Sequence, residues 1–130
     1  MFRASKTNPF SGPHQKEKII NAGAKPEQAA AAMILIHGRG ATAESILMLA
    51  DEFEGDNILY TAPQAAGFQW YPYSFLAPTD RNEPGLSSGL QVIFDTIADL
   101  ETKGIPKNKV IIAGFSQGAC LASEFIARHP

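Results

Sequence analysis

Gly114-Phe115-Ser116-Gln117-Gly118 is the stretch of this chain with the most chemical content: a serine with a glycine two residues to either side. The apolar run Val110-Ile111-Ile112-Ala113 leads directly into it, and Gln117 to Arg128 leaves it with the pattern of a helix, small residues Gly118, Ala119 and Ala122 on its first turns. A strand-to-helix turn sharp enough to lift a serine hydroxyl above a sheet brings the two backbones together, so side chains at 114 and 118 would collide. The same turn aims the backbone N–H of Gln117 at the place where a tetrahedral oxyanion would form. The expected chemistry is nucleophilic: Ser116 attacks a carbonyl carbon, with the oxyanion held by backbone amides. Serine is also a favoured helix cap, and a glycine turn capped by Ser116 is the purely structural alternative.

A second glycine-rich turn, His37-Gly38-Arg39-Gly40, closes the apolar run Ala32-Met33-Ile34-Leu35-Ile36. With Gly38 and Gly40 on either side, the backbone there can face a ligand, and the N–H of Arg39 is the candidate second oxyanion donor. Each such donor is worth about 3 kcal/mol in the transition state. His37, at a strand end, reads as a structural residue held by hydrogen bonds. Gly38-Arg39-Gly40-Ala41-Thr42-Ala43 also fits the dinucleotide pattern G-x-G-x-x-A. That pattern asks for an acidic residue at the end of the next strand, whereas Asp56 precedes the strand Ile58-Leu59-Tyr60. The dinucleotide reading fails on that geometry, and no phosphate-loop motif is present.

The elements that must position these turns follow from hydrophobic patterning. The runs at 32–36, 58–60 and 110–113 do not alternate polar with apolar, as expected of strands buried on both faces of a parallel sheet. A weaker strand is expected over Lys18 to Ala22. Ile46, Ala50 and Phe53 form one stripe of a helix over 43–53, and Leu86, Leu90, Ile93, Phe94, Ile97 and Leu100 form another over 86–101, with Gln91, Asp95, Asp99 and Glu101 mostly off it. Pro84 and Gly85 mark the start of that second helix, Gly104 and Pro106 its stop. The order strand, helix, strand, loop, helix, strand, helix predicts an α/β fold: a mostly parallel sheet, right-handed crossovers, and helices on both faces. Residues 1–15, rich in Pro, Ser, Gly and Asn, are expected to be an irregular arm laid over the surface of the domain formed by 16–130. The loop Ala62 to Gly85 is long for a compact domain and holds the only tryptophan, which suggests a functional role.

Bulk properties narrow the partners. Eleven basic residues scattered along the chain and a net charge of −2 leave no footprint for nucleic acid. The apolar run Ala29 to Ile36 is too short for a membrane span. Asp51, Glu52, Glu54 and Asp56 cluster without His or Cys, which reads as a solvated helix end and loop, and no metal site is expected. The single cysteine, Cys120, excludes an internal disulfide, suits a reducing compartment and reads as a small core residue. The first residues show no apolar leader, so a cytoplasmic location is the default expectation.

Together with Ala62-Pro63-Gln64, Trp70-Tyr71-Pro72 and Asn82-Glu83-Pro84, the two glycine turns make five blocks by which the chain, over roughly residues 22 to 130, resembles the bacterial phospholipase/carboxylesterase family of α/β-hydrolases. The resemblance implies a carboxylic-ester hydrolase without metal or organic cofactor. It makes Ser116 the nucleophile, Gln117 and Arg39 the backbone oxyanion donors, and Trp70 and Tyr71, with Gly38 and Gly40, the surroundings of the substrate; Gly114, Gly118 and His37 are structural. Lysophospholipid, short aliphatic ester and thioester all fit. The fold orders its triad Ser, then Asp or Glu, then His, on successive strands. After Ser116 only Glu124 and His129 remain, both on the nucleophile's own helix, and His129 lies about 20 Å along the axis, far beyond proton-transfer reach. His14 precedes the core, and its recruitment would need the arm to reach the site. The chain is therefore expected to be cut short after its nucleophile helix, by proteolysis or an incomplete gene, with a small-molecule ester as substrate. A complementary C-terminal fragment and a homodimer are the protein partners compatible with this. The reading of a different class is a catalytically dead fragment that serves as a binding or assembly unit.

Overall fold

Ala31–Ile36 forms β2, an inner strand, and its composition explains why: Ala-Ala-Met-Ile-Leu-Ile has no polar side chain to turn toward water. The computed structural model describes residues 2–53 and 57–130 and packs helices against both faces of this strand. Successive strand residues point to opposite sides. Ala32, Ile34 and Ile36 meet Leu90, Ile93 and Leu121 on one face, while Met33 and Leu35 meet Ala43, Ile46 and Tyr60 on the other. Full burial of each such Leu or Ile contributes about 1.5–3 kcal/mol.

The sheet has four strands in the order β1 (Ile19–Gly23), β3 (Ile58–Pro63), β2, β4 (Val110–Gly114). β2 runs parallel to both β3 and β4, and β1 lies antiparallel on the outer side of β3. This is the mostly parallel α/β arrangement expected from the patterning. The first strand sits one residue later than Lys18 to Ala22, and its alternating exposure suits an edge. β4 departs from the expectation of burial on both faces. It has a neighbour on one side only among the described residues, and Ile111 is 52% exposed.

The described residues form three α-helices, α1 (Ala43–Leu47) between β2 and β3, α2 (Gly85–Thr102) between β3 and β4, and α3 (Gln117–Arg128) after β4. α1 begins in a capping box, with Thr42 Oγ1 accepting from Ser45 N–H (3.1 Å) and Ser45 Oγ from Thr42 N–H (3.2 Å). The single helix expected over 43–53 is not found. Only one turn is fully buried on the sheet, through Ala43 and Ile46; Ala50 is covered in part, Met48 and Leu49 are exposed, and Met48–Glu52 tightens to 3-10 geometry with Phe53 largely exposed. Asp51 and Glu52 of the acidic cluster are exposed, and Glu54 and Asp56 lie outside the described residues.

α2 buries Leu86, Leu90, Ile93 and Leu100 as its stripe requires, but Gln91, expected off that face, is 0% exposed. The reason is the arm. Gln91 Oε1 accepts from Phe10 N–H (3.1 Å), its Nε2 donates to Ser5 O (3.1 Å), and Ser88 Oγ accepts from His14 N–H (3.0 Å). Residues 2–15 are irregular, yet they cover the polar side of α2 and carry the buried anchors Ala4 and His14. No helix among the described residues is long and apolar enough to cross a membrane.

Candidate active site

Close packing shapes the turn after β4. A Cβ added to Gly114 would stand 2.5 Å from the Gly118 carbonyl, and one added to Gly118 would strike the Ile36 carbonyl and lie 2.6 Å from that of His37. Such contacts are far inside van der Waals distance, so strand and helix can meet here only without side chains. Phe115 N–H donates to Ile36 O (3.1 Å) and ties the turn to the end of β2. Between the glycines Ser116 is held at φ 56°, ψ −118°, a region that costs a non-glycine residue about 1–3 kcal/mol. Its side chain is exposed and makes no capping bond to α3, which removes the helix-cap alternative.

The turn after β2 lies alongside. A Cβ on Gly38 would be 3.3 Å from Ser116 Cβ and 3.0 Å from Phe115 O, so the two turns abut without room to spare. Gly40 adopts φ +77°, the left-handed region that favours glycine, and its N–H donates to Phe68 O (2.6 Å). Among the described residues, the backbone N–H groups of Arg39 and Gln117 and the hydroxyl of Ser116 have no hydrogen-bond partner.

Polar side chains strap the segment from Gln64 to Pro84 over these turns. Gln117 Oε1 accepts from Trp70 N–H (2.7 Å) and its Nε2 donates to Tyr71 O (2.8 Å). The Arg39 guanidinium reaches Gln69 Oε1 (2.7 Å), Pro72 O (3.0 Å) and Tyr73 O (3.1 Å). Asn82 closes the far end, accepting from Tyr73 N–H (2.8 Å) and donating to Ser74 O (3.0 Å). An open groove of about 240 Å³ results, with Arg39, Tyr71, Tyr73, Ser116, Gln117 and Cys120 in its wall. A second cavity of about 460 Å³ shares Tyr71, Phe75 and Cys120 and continues toward Leu86 and Ala127 without touching Ser116.

Residues 15–130 match the phospholipase/carboxylesterase family. The chain belongs to that family. A phospholipase/carboxylesterase crystal structure from Dyadobacter fermentans is 38% identical over 96% of this chain, with a TM-score of 0.81. The crystal structure of esterase PE8 is 25% identical over 85% of the chain, with a TM-score of 0.66. The chain spans 55% and 57% of those two proteins, so it corresponds to about half of each.

Within this family framework several residues sit elsewhere than the motifs suggested. Trp70, expected in the pocket wall, is 0% exposed and forms part of the core; its Nε1–H donates to His37 O (2.9 Å), which draws the indole under the turn instead of into the groove. Tyr71 does line the groove, and burial, then the neighbouring Cys120, push its phenol up to about 12. Cys120 is only partly buried: one turn after Ser116, it shares the groove-facing side of α3. Glu124 pairs with Arg128 (3.0 Å). His129 follows the end of α3 and is bound to Phe125 O (3.0 Å). His37 and His14 are both buried and committed to backbone partners, and burial lowers the pKa of each. Among the described residues, no three His, Cys, Asp or Glu side chains gather where they could hold a metal. Sequence reasoning missed the strapping roles of the Gln117, Arg39 and Asn82 side chains. The one available signal was polar residues placed within otherwise apolar or glycine-rich blocks.

Proposed function

We propose that this chain carries the nucleophile part of a serine carboxylic-ester hydrolase, with Ser116 Oγ attacking the ester carbonyl to form an acyl-enzyme. The observation that carries this reading is the exposed, unbonded Ser116 at a strained backbone angle, beside two unpartnered amides on abutting turns. Those amides, of Arg39 and Gln117, are the oxyanion donors in this reading, with Gly38 and Gly40 keeping the approach open. Tyr71 is a wall of the substrate groove, and the adjoining cavity has room for the longer part of an ester. Gly114, Gly118 and His37 support the turns. No described histidine faces Ser116 with a free nitrogen, and we assign the base and its carboxylate to protein outside these 130 residues.

The test compares the complete protein, its Ser116→Ala variant and the 130-residue chain on p-nitrophenyl esters, with the intact mass of each sample checked for an accompanying fragment. The complete protein should turn over. Ser116→Ala should lose at least about 10³-fold, and the chain alone should retain only the residual rate that binding and oxyanion donors supply, about 10³–10⁴ over water. Undiminished turnover by Ser116→Ala would sink the reading. A chain as active as the complete protein, with no second fragment in the sample, would show that the base lies within it.

A further inference from the structure

The N-terminal arm brings a histidine to a place that the ester chemistry does not use. His14 is 3% exposed, and its ring meets the indole of Trp70 edge-on at 4.9 Å between centroids. His37, at the end of β2, lies against the same indole at 5.2 Å. The chain's only tryptophan is thus flanked by two of its three imidazoles.

Both rings hold consecutive amides of one segment, and each does so as an acceptor. Ala66 N–H donates to His14 Nδ1 (2.9 Å), while His14 Nε2–H donates to Trp70 O (2.7 Å). Ala65 N–H donates to His37 Nε2 (3.0 Å), and His37 Nδ1–H donates to Gly38 O (2.7 Å). Each imidazole therefore has one nitrogen bare and one protonated, in opposite tautomers. A second proton on either ring would turn an acceptor into a donor facing an N–H. Neither ring can be charged without letting go of its amide.

We propose that His14 is a positioning residue which, together with His37, clamps residues 64–71 around Trp70 as a neutral pair, and that protonation of the pair releases the segment. What the clamp holds is the groove: from Trp70 and Tyr71 the segment reaches the Gln117 side chain, and through Gln69 it reaches Arg39. Burial favours the neutral form of both rings. At His14 it outweighs the Trp70 carbonyl, the carboxylate of Glu17 just beyond the arm and the Gly85 carbonyl, with His37 across the indole adding to it; at His37 only the Gly38 carbonyl opposes it. The clamp rests on hydrogen bonding alone, and its bearing on ester turnover rests on the reading under Proposed function.

The experiment reads Trp70 fluorescence of the full chain, dilute, from about pH 8 to about pH 5, with far-UV circular dichroism alongside. Wild type should show quenching and a red shift with a midpoint below the ordinary histidine value of about 6.5, while the circular dichroism holds. His14→Gln, which can still accept from Ala66 and donate to Trp70 O but does not titrate, should keep the neutral-pH emission and lose most of the acid transition. His14→Ala should be red-shifted already at neutral pH. Ser116→Ala, which bears on turnover and not on the clamp, should titrate as wild type does, so failure of the ester reading leaves this result standing. Should a variant not fold, hydrogen exchange on wild type decides: protection of the Ala65 and Ala66 amides should fall about tenfold per pH unit for each proton taken up. Emission unchanged while the fold persists, emission that moves only with loss of the circular dichroism, a His14→Gln titration identical to wild type, or pH-independent protection would each overturn the proposal.

Discussion

The turn at 114–118 and the segment from Gln64 to Pro84 wall the same groove, yet they are held by different forces. Exclusion holds the turn: Gly114 and Gly118 leave no room for a Cβ, and Ser116 sits between them at positive φ with no side-chain bond to keep it there. Attachment holds the longer segment, through the side chains of His14, His37, Arg39, Gln117 and Asn82, of which only Asn82 belongs to the segment itself. A sterically enforced bend tolerates no enlargement but survives loss of polar bonds. A strapped segment should behave the other way round.

The largest effect expected from this contrast is at Gly118→Val, which would drive a branched side chain into the carbonyls of Ile36 and His37; a loss of at least about 3 kcal/mol in denaturant melts is expected. A loss below about 1 kcal/mol would mean that the bend is not sterically enforced. Gln117→Ala comes next. It leaves Trp70 N–H and Tyr71 C=O unpaired beneath the segment and should cost about 1–3 kcal/mol, with unchanged melting as the contrary result.

Acid should act on the straps and spare the turn. Because burial depresses the folded-state pKa of His14 and His37, the unfolded chain takes up protons first as pH falls. Their contribution is complete above about pH 6.5 and declines as pH drops toward the folded values, by up to about 1.4 kcal/mol per pH unit for each histidine. Denaturant midpoints at about pH 7.5 and 5.5 measure this, and equal midpoints would refute it. The smallest change is a gain: Ser116→Gly should stabilise the fold by about 1 kcal/mol by relieving the positive φ, while Ser116→Ala, strained at the same angle, should not.

The same contrast explains what the sequence made legible. β2, α2, α3 and the turn at 114–118 are each specified by neighbouring residues, whether an unbroken apolar run, a helical stripe or a pair of glycines, so they could be read from the chain. Position across the fold could not. Gln91 is polar and sits off the apolar stripe of α2; only the arm, more than eighty residues earlier, buries it. Trp70 looks like a pocket residue until His37 O claims its N–H. The stripe through Ile46, Ala50 and Phe53 promised a helix of three turns, but a helix that short depends on what packs against it, and full burial ends at Ile46, with Ala50 only partly covered. Cys120 reads as core by type and is turned toward the groove by its spacing from Ser116.

β4 ends the sheet with one flank bare among the described residues, and Ile111 stands uncovered beside that flank. A border of this kind propagates: a molecule that lays a strand along it closes one row of amides and carbonyls, and an assembly built that way offers further borders to the next arrival. For the 130 residues on their own, crowding would then decide between dispersal and stacking. Light scattering should climb steeply with concentration, and Ile111→Lys, which sets a charge on the border, should flatten that rise.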